Sequence, residues 1–125
     1  MGVVYYGNYL SLFETGRVEA MRQAGASYGE LVERGVQAPV IEATVRYRRP
    51  ARFDDVLDVH AWISELGRAR FTFEYMVCRE SDGEVIATGR TVHAYVDAAT
   101  LRPVRPPAWV QGALERLRST GEAAG

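Results

Sequence analysis

The sequence has no lysine; all 15 of its basic residues are arginine. Any anion site must therefore be built from guanidinium forks, backbone N–H groups or helix N-termini. Cysteine is almost absent too. The single Cys78 excludes an internal disulfide and, in a strand-like run, reads as a reduced, half-buried filler. No apolar run approaches the ~20 residues that span a bilayer, and no basic stretch is followed by an apolar one in the manner of a leader. A cytoplasmic location without membrane insertion is the expectation. An excess of either charge is also lacking. The 15 basic and 16 acidic residues leave a net charge of −1, which argues against nucleic-acid binding by bulk charge. The two histidines, His60 and His93, have no cysteine or acid at ligand spacing, so no metal site is expected. Ser11 and Ser27 lack the G-x-S-x-G setting of a serine hydrolase.

What is present is a composition of 125 residues, 47% hydrophobic and 25% charged, suited to one domain over residues 1–125 with a core of ordinary size. The stretch NYLSLFETGRVEAMRQA, residues 8–24, predicts a helix that starts at the N-cap Asn8 and stops at Gly25. Its apolar residues cover more than one narrow stripe, so the helix should be largely buried. Ser27 and Glu30 form a capping box for a second short helix that ends at Gly35.

From there the period changes to two. In VIEATVRYR, Ile41, Ala43, Val45 and Tyr47 share a face, and Pro50 closes the run. In VLDVHAWIS the inward set is Leu57, Val59, Ala61 and Ile63; in RFTFEYMVC it is Phe71, Phe73, Tyr75 and Val77. A last strand, EVIATGRTVHAYVD, follows a Ser81-Asp82-Gly83 turn. It carries Gly89 at its middle, which signals a bend, a bulge or a close contact. A proline-broken loop then leads to a terminal helix over Trp109–Arg118 and a frayed tail. The order predicts an α+β architecture, a meander of four long antiparallel strands curled around one helix. One helix cannot cover such a sheet, and Trp62, Met76, Val85 and Tyr95 are expected on its outer face. Homo-oligomerisation, to a dimer or tetramer, follows.

Three stretches carry a resemblance. GVVYYGNYLSLFE with Arg17, TVRYRRPARFDDVLDV and GEVIATGRTVHAYVDAATLRPVRPP follow one another in unbroken order over most of the chain. Together they resemble the 4-hydroxybenzoyl-CoA thioesterase-like family, in particular its Tol-Pal-associated acyl-CoA thioesterase branch. The first motif there reads roughly D-x-x-G-[VI]-V-Y-[YH]-x-x-Y…F-E-x-[AG]-R, and the last stretch ends in a T-x-[RK]-P loop. The resemblance implies a hotdog fold, a long central helix wrapped by a curved antiparallel sheet. It also implies hydrolysis of acyl thioesters, carried on CoA or on an acyl carrier protein, to acid and free thiol.

Such chemistry needs a polarised carbonyl and a carboxylate that activates water or attacks directly. By the resemblance, the backbone N–H of Tyr6 would bind the thioester oxygen at the front of the helix. Gly2 and Val3 would supply the tight approach beside it, with Tyr5, Asn8 and Tyr9 around the acyl group. These rings can equally serve only to wedge the helix into the sheet. The family's aspartate falls three residues before Gly2, ahead of Met1, and its first strand lies further upstream. An N-terminal strand is therefore expected to be missing, with a longer natural chain of roughly 15 more residues as one explanation. Within the chain, Glu14 stands twelve positions after Gly2. Other branches of the fold carry their carboxylate at that spacing, and burial there would raise its pKa toward that of a general base. The alternative is that Glu14 pairs with Arg17 at i,i+3 and only orients the helix. Arg68 and Arg70, in ELGRARF, fall where the family contacts CoA phosphates; they and the run Arg46, Arg48, Arg49 and Arg52 can also be a solvated edge. The expected function is an acyl-CoA thioesterase for short-chain or aromatic acyl groups. A non-catalytic hotdog protein that binds acyl-CoA or a protein partner is the alternative, which the absent aspartate favours.

Overall fold

A computed structural model describes the backbone of residues 2–4 and 8–124 and the side chains of residues 8–27 and 29–118. The chain runs β1 (Gly2–Val4), α1 (Tyr9–Gln23), α2 (Tyr28–Glu33), β2 (Val36–Gln37), β3 (Val40–Tyr47), β4 (Val56–Leu66), β5 (Arg70–Arg79), β6 (Val85–Ala94), β7 (Val96–Asp97) and α3 (Ala108–Ala124). The main antiparallel sheet has the order β1-β4-β5-β6-β3, and β2 and β7 form a separate two-stranded ribbon. Helix α1 lies against one face of the main sheet, the hotdog arrangement, and α3 packs along β4 beside it. No described helix is long and apolar enough to cross a membrane.

The helix caps follow directly from residue type. The Asn8 side chain accepts from the Ser11 N–H at 3.1 Å, satisfying one of the free amides of the first turn. Gly25 leaves the helix at φ 95°, a left-handed turn that costs a residue without Cβ little. Ser27 accepts from the Glu30 N–H and donates to its carboxylate, and Gly35 ends α2 at φ 71°.

The inward sets of β4 and β5 form the core: Leu57, Val59, Ile63, Phe71, Phe73, Tyr75 and Val77 are all buried. Gly89 marks a close contact. A Cβ there would stand 2.3 Å from the Phe13 ring, which lies over it fully buried. Gly16 likewise brings α1 onto Val59; its Cβ would meet the valine at 2.6 Å. The two glycines let α1 sit closer to the sheet than a side chain would allow. On α3, Val110, Ala113, Leu114 and Leu117 make the buried stripe.

Several expectations are corrected. The four long strands are not a simple meander: β3 crosses the sheet and pairs with β6, Val45 opposite Gly89, instead of with its sequence neighbour β4. Strand β3 is thereby an edge, which leaves Ile41 and Tyr47 exposed although they belong to the alternating set of an inward strand, and Val40 is exposed beside them. Tyr95 is fully buried and not on the outer face. It shares the parity of Thr91 and His93, and a bulge opposite Val77/Cys78 shifts Val85 out of that phase. Within the motif a short strand not foreseen from the sequence, Gly2–Val4, pairs with Asp58–Val56; it is distinct from the strand expected ahead of Met1. Among the described residues nothing pairs with the outer edge of β4 beyond that point. Helix α1 is not largely buried, since Leu10 and Val18 are exposed. Finally, α3 continues past Arg118 to Ala124.

Candidate functional site

At the front of α1 the sequence placed most of the substrate-contacting residues. Gly2 and Val3 sit in β1, opposite Asp58 and Leu57, beside the strand that α1 packs upon. Tyr5 and Tyr6 lie outside the described residues. Asn8 is exposed, and its side-chain oxygen is committed to the Ser11 amide. Tyr9 is buried, with its ring edge-on to Tyr47 at 5.3 Å. It lines an open depression with Tyr47, Arg48, Arg49, Pro50 and Ala51. Arg49 there pairs with Glu84 at 2.9 Å. Two members of the arginine run thus stand at the same end of the helix as Tyr9.

The next turn of α1 reaches a second, more enclosed cavity of about 260 Å³. Glu14, Arg17, Val18 and Met21 line it from the helix; Leu31 comes from α2, Ala38 and Pro39 from the link between β2 and β3, Val40 from the first position of β3, and Phe71 and His93 from β5 and β6. An apolar cavity with a few convergent polar groups is the general form of a small-molecule site. Glu14 is exposed, however, and not the buried carboxylate expected from its spacing. It occupies the outer face of the helix, between the exposed Leu10 and Val18, each one turn away along a single stripe. Nor does it pair with Arg17. Among the described residues neither a hydrogen bond nor an ion pair joins them; Arg17 turns inward and donates from Nη1 to the Tyr75 hydroxyl at 2.9 Å.

That contact opens a buried polar chain. Tyr75 Oη lies 2.6 Å from Thr91 Oγ1, Thr91 Oγ1 lies 2.7 Å from His93 Nε2, and His93 Nδ1 lies 3.0 Å from the Ala38 carbonyl. Tyr75, Thr91 and His93 are all buried. Adjacent strands bring them together: Tyr75 faces Gly89 in the register, so its ring reaches diagonally to Thr91, two residues on. The Phe71 ring stacks on His93 at 4.8 Å, and Phe13 stacks on Tyr75 at 4.4 Å. Burial pushes the His93 imidazole down to about 4, opposed by its bond to Ala38 and assisted by the nearby Arg17 charge. Burial raises the Tyr75 hydroxyl, and the Arg17 charge partly offsets this. Sequence reasoning missed this chain. Its signal was there, since Thr91 and His93 alternate on the inward face of a strand where apolar residues belong.

Arg68 and Arg70 are exposed on the β4–β5 hairpin, whose turn is closed by the Gly67 N–H donating to the Arg70 carbonyl at 2.8 Å. They stand at the end of the sheet where Phe71 enters the cavity. Cys78 is half-buried, and burial raises its thiol pKa. Among the described residues no three His, Cys, Asp or Glu side chains gather where they could share a metal ion.

Comparison with known proteins bears on the same chain. Residues 1–114 match the model of a family described as the thioesterase-like superfamily. The acyl-CoA thioesterase YbgC of Haemophilus influenzae is 32% identical over 119 residues, which are 94% of this chain and 85% of that one. Among solved structures, a DHNA-CoA thioesterase from Staphylococcus aureus superposes with a TM-score of 0.83 at 26% identity, covering 97% of this chain and 83% of its own. A hypothetical protein from Thermus thermophilus superposes with a TM-score of 0.81 at 35% identity, over 92% of this chain and 86% of that one.

Proposed function

The chain belongs to the thioesterase-like superfamily, and from that premise we propose that it hydrolyses acyl-CoA thioesters to a carboxylic acid and free CoA. The observation that carries the reading is the placement of Glu14, at the mouth of an apolar cavity and on the second turn of a helix that begins at the motif's Tyr9. The acyl group enters the cavity, and the thioester carbonyl lies between Glu14 and the front of α1. There the Tyr6 N–H and the positive end of the helix dipole stabilise the oxyanion. Glu14 activates water or attacks the carbonyl. Gly2, Val3, Tyr5, Asn8 and Tyr9 surround the reacting end, and Arg68 and Arg70 hold CoA phosphates. A cavity of about 260 Å³ is smaller than the ~300–1,000 Å³ pockets that take drug-sized ligands, which suits short-chain or single-ring acyl groups.

The closer kinship we propose is with the Tol-Pal-associated branch, as one domain working in the cytoplasm on acyl-CoA or acyl carrier protein. We further assign a homo-oligomer, a dimer or a pair of dimers. The stripe Leu10, Glu14 and Val18 and the bare edge of β3 flank the same cavity, and a second copy laid over them would close it and remove Glu14 from bulk water. A second reading, an acyl-CoA binder without turnover, is favoured by one observation: no described group orients the Glu14 carboxylate.

Thiol release from acyl-CoAs of graded chain length and from an aromatic acyl-CoA decides between them. A general base is worth about 10²–10⁴-fold in rate, so Glu14→Gln should lower kcat by at least ~100-fold with the fold intact. Turnover equal to that of the unaltered protein removes Glu14 from the mechanism; saturable binding without thiol release from either supports the binder.

A further inference from the structure

The buried chain that starts at Arg17 has a direction that can be worked out bond by bond. Its two ends are fixed by chemistry. A guanidinium can only donate, and a backbone carbonyl can only accept. The Ala38 oxygen therefore takes its proton from His93 Nδ1–H. The opposite tautomer would set two acceptors face to face at 3.0 Å. A neutral imidazole protonated on Nδ1 accepts at Nε2, so the Thr91 hydroxyl donates to it. The Thr91 oxygen is then the acceptor for the Tyr75 hydroxyl, and the Tyr75 oxygen accepts from Arg17. Each link leaves its neighbour one role only. Doubly protonated His93 would upset this order, and burial keeps the imidazole neutral above about 4.

We propose that the chain Arg17–Tyr75–Thr91–His93–Ala38 is a positioning device that holds the Arg17 guanidinium on the cavity wall beside Glu14, with its remaining N–H groups free to meet the substrate oxygen. The inference rests on the thioesterase reading for its purpose and on the hydrogen-bond geometry for its existence. Arginine carries large rotamer freedom, and an exposed one would lose it only on binding substrate. Here one nitrogen is already committed to a buried hydroxyl, and the only hydrogen bond described for Arg17 is that one. Arg17 lines a cavity whose other walls are mostly apolar, where a fixed cation acts on developing negative charge more strongly than in water. Tyr75 and Thr91 act through Arg17, and His93, whose ring also lines the cavity, closes the far end of the chain. Thr91 is the link to break, because Thr91→Val keeps the shape and removes the hydroxyl, leaving Tyr75 and His93 without their partner.

The experiment is a double-mutant cycle of Thr91→Val and Arg17→Ala, read as kcat/KM for thiol release, with Thr91→Ser as the conservative variant and a thermal melt for each protein. Thr91→Val should lower kcat/KM about tenfold while Thr91→Ser recovers most of the loss, and Thr91→Val should cost less than about twofold when Arg17 is already alanine. A tenfold loss in both backgrounds, or none in a folded Thr91→Val protein, overturns the proposal. A second measurement is independent of turnover: the guanidinium N–H signals of Arg17 in a ¹⁵N-labelled sample. They should be exchange-protected in the unaltered protein and in Thr91→Ser, and lost in Thr91→Val. Signals unaffected by Thr91→Val refute the holding role even if the enzyme is active. An unaltered protein with protected signals and no thiol release refutes the thioesterase reading and the purpose given to the chain, while the ordering of Arg17 stands.

Discussion

Gly89→Ala adds one methyl group at the point where helix and sheet approach most closely. The new Cβ would fall 2.3 and 2.4 Å from two carbons of the Phe13 ring and 2.8 Å from the Thr44 carbonyl oxygen. Carbon atoms rest at ~3.5–4.0 Å, so the ring must retreat by more than ~1 Å. Sideways it meets Tyr75, stacked at 4.4 Å and pinned through its hydroxyl to Arg17 and Thr91. Upward it lifts α1. The carbonyl on the other side belongs to the paired strand β3 and cannot turn away. Overpacking of this kind costs ~1–3 kcal/mol, and with both exits blocked the upper end is expected. For a domain of this size ~3 kcal/mol corresponds to a Tm about 10 °C lower. Phe13→Leu, which shrinks the ring that collides, should cost roughly 2 kcal/mol alone. The pair should cost about 3 kcal/mol, well short of the sum of the two, giving a coupling of about 2 kcal/mol. Urea unfolding followed by circular dichroism measures all four corners. An unchanged midpoint for Gly89→Ala, or strict additivity with Phe13→Leu, would show that α1 does not sit on Gly89 as described.

Acid should destabilise the fold through His93. Its folded pKa of about 4 lies below the ordinary value, so the unfolded chain takes up a proton first; the contribution is complete above pH ~6.5 and is lost as pH falls toward 4. The full loss is of order 3 kcal/mol, and urea midpoints at pH 7 and pH 4.5, with the imidazole resonances followed by NMR, test it; His93 titrating near 6.5 would contradict its burial. Exchanging Arg68 and Arg70 for alanine should raise KM for acyl-CoA several-fold with kcat nearly constant, and the effect should shrink with added salt. An unchanged KM would return both arginines to the solvated surface.

Much of this was legible in the residues. Asn8 and Gly25, then the Ser27/Glu30 box and Gly35, marked both ends of two helices because a cap is a local interaction with the backbone a few residues away. The inward faces of β4 and β5 could be read because alternation reports burial directly. Alternation does not say which strand lies alongside, so the pairing of β3 with β6 was hidden, and with it the exposure of Ile41 and Tyr47. The same limit applies to Glu14. Spacing put it on the second turn of α1, but whether a carboxylate is covered depends on elements far away in the chain. The Tyr75–Thr91–His93 chain required the register of two strands before any of its distances had meaning.

Strand β1 covers only the first three residues of β4, with positions summing to sixty at every pair. From Val59 to Trp62 the strand runs on beside a hollow bounded by Glu19 and Gln23 of α1 and Arg116 of α3. Peptide groups along that margin are shared with nothing described on their outer side. An unpaired margin of this kind has the donors and acceptors to take one more strand, and the β1 pairing shows the antiparallel sense that a continuation of β1 would follow.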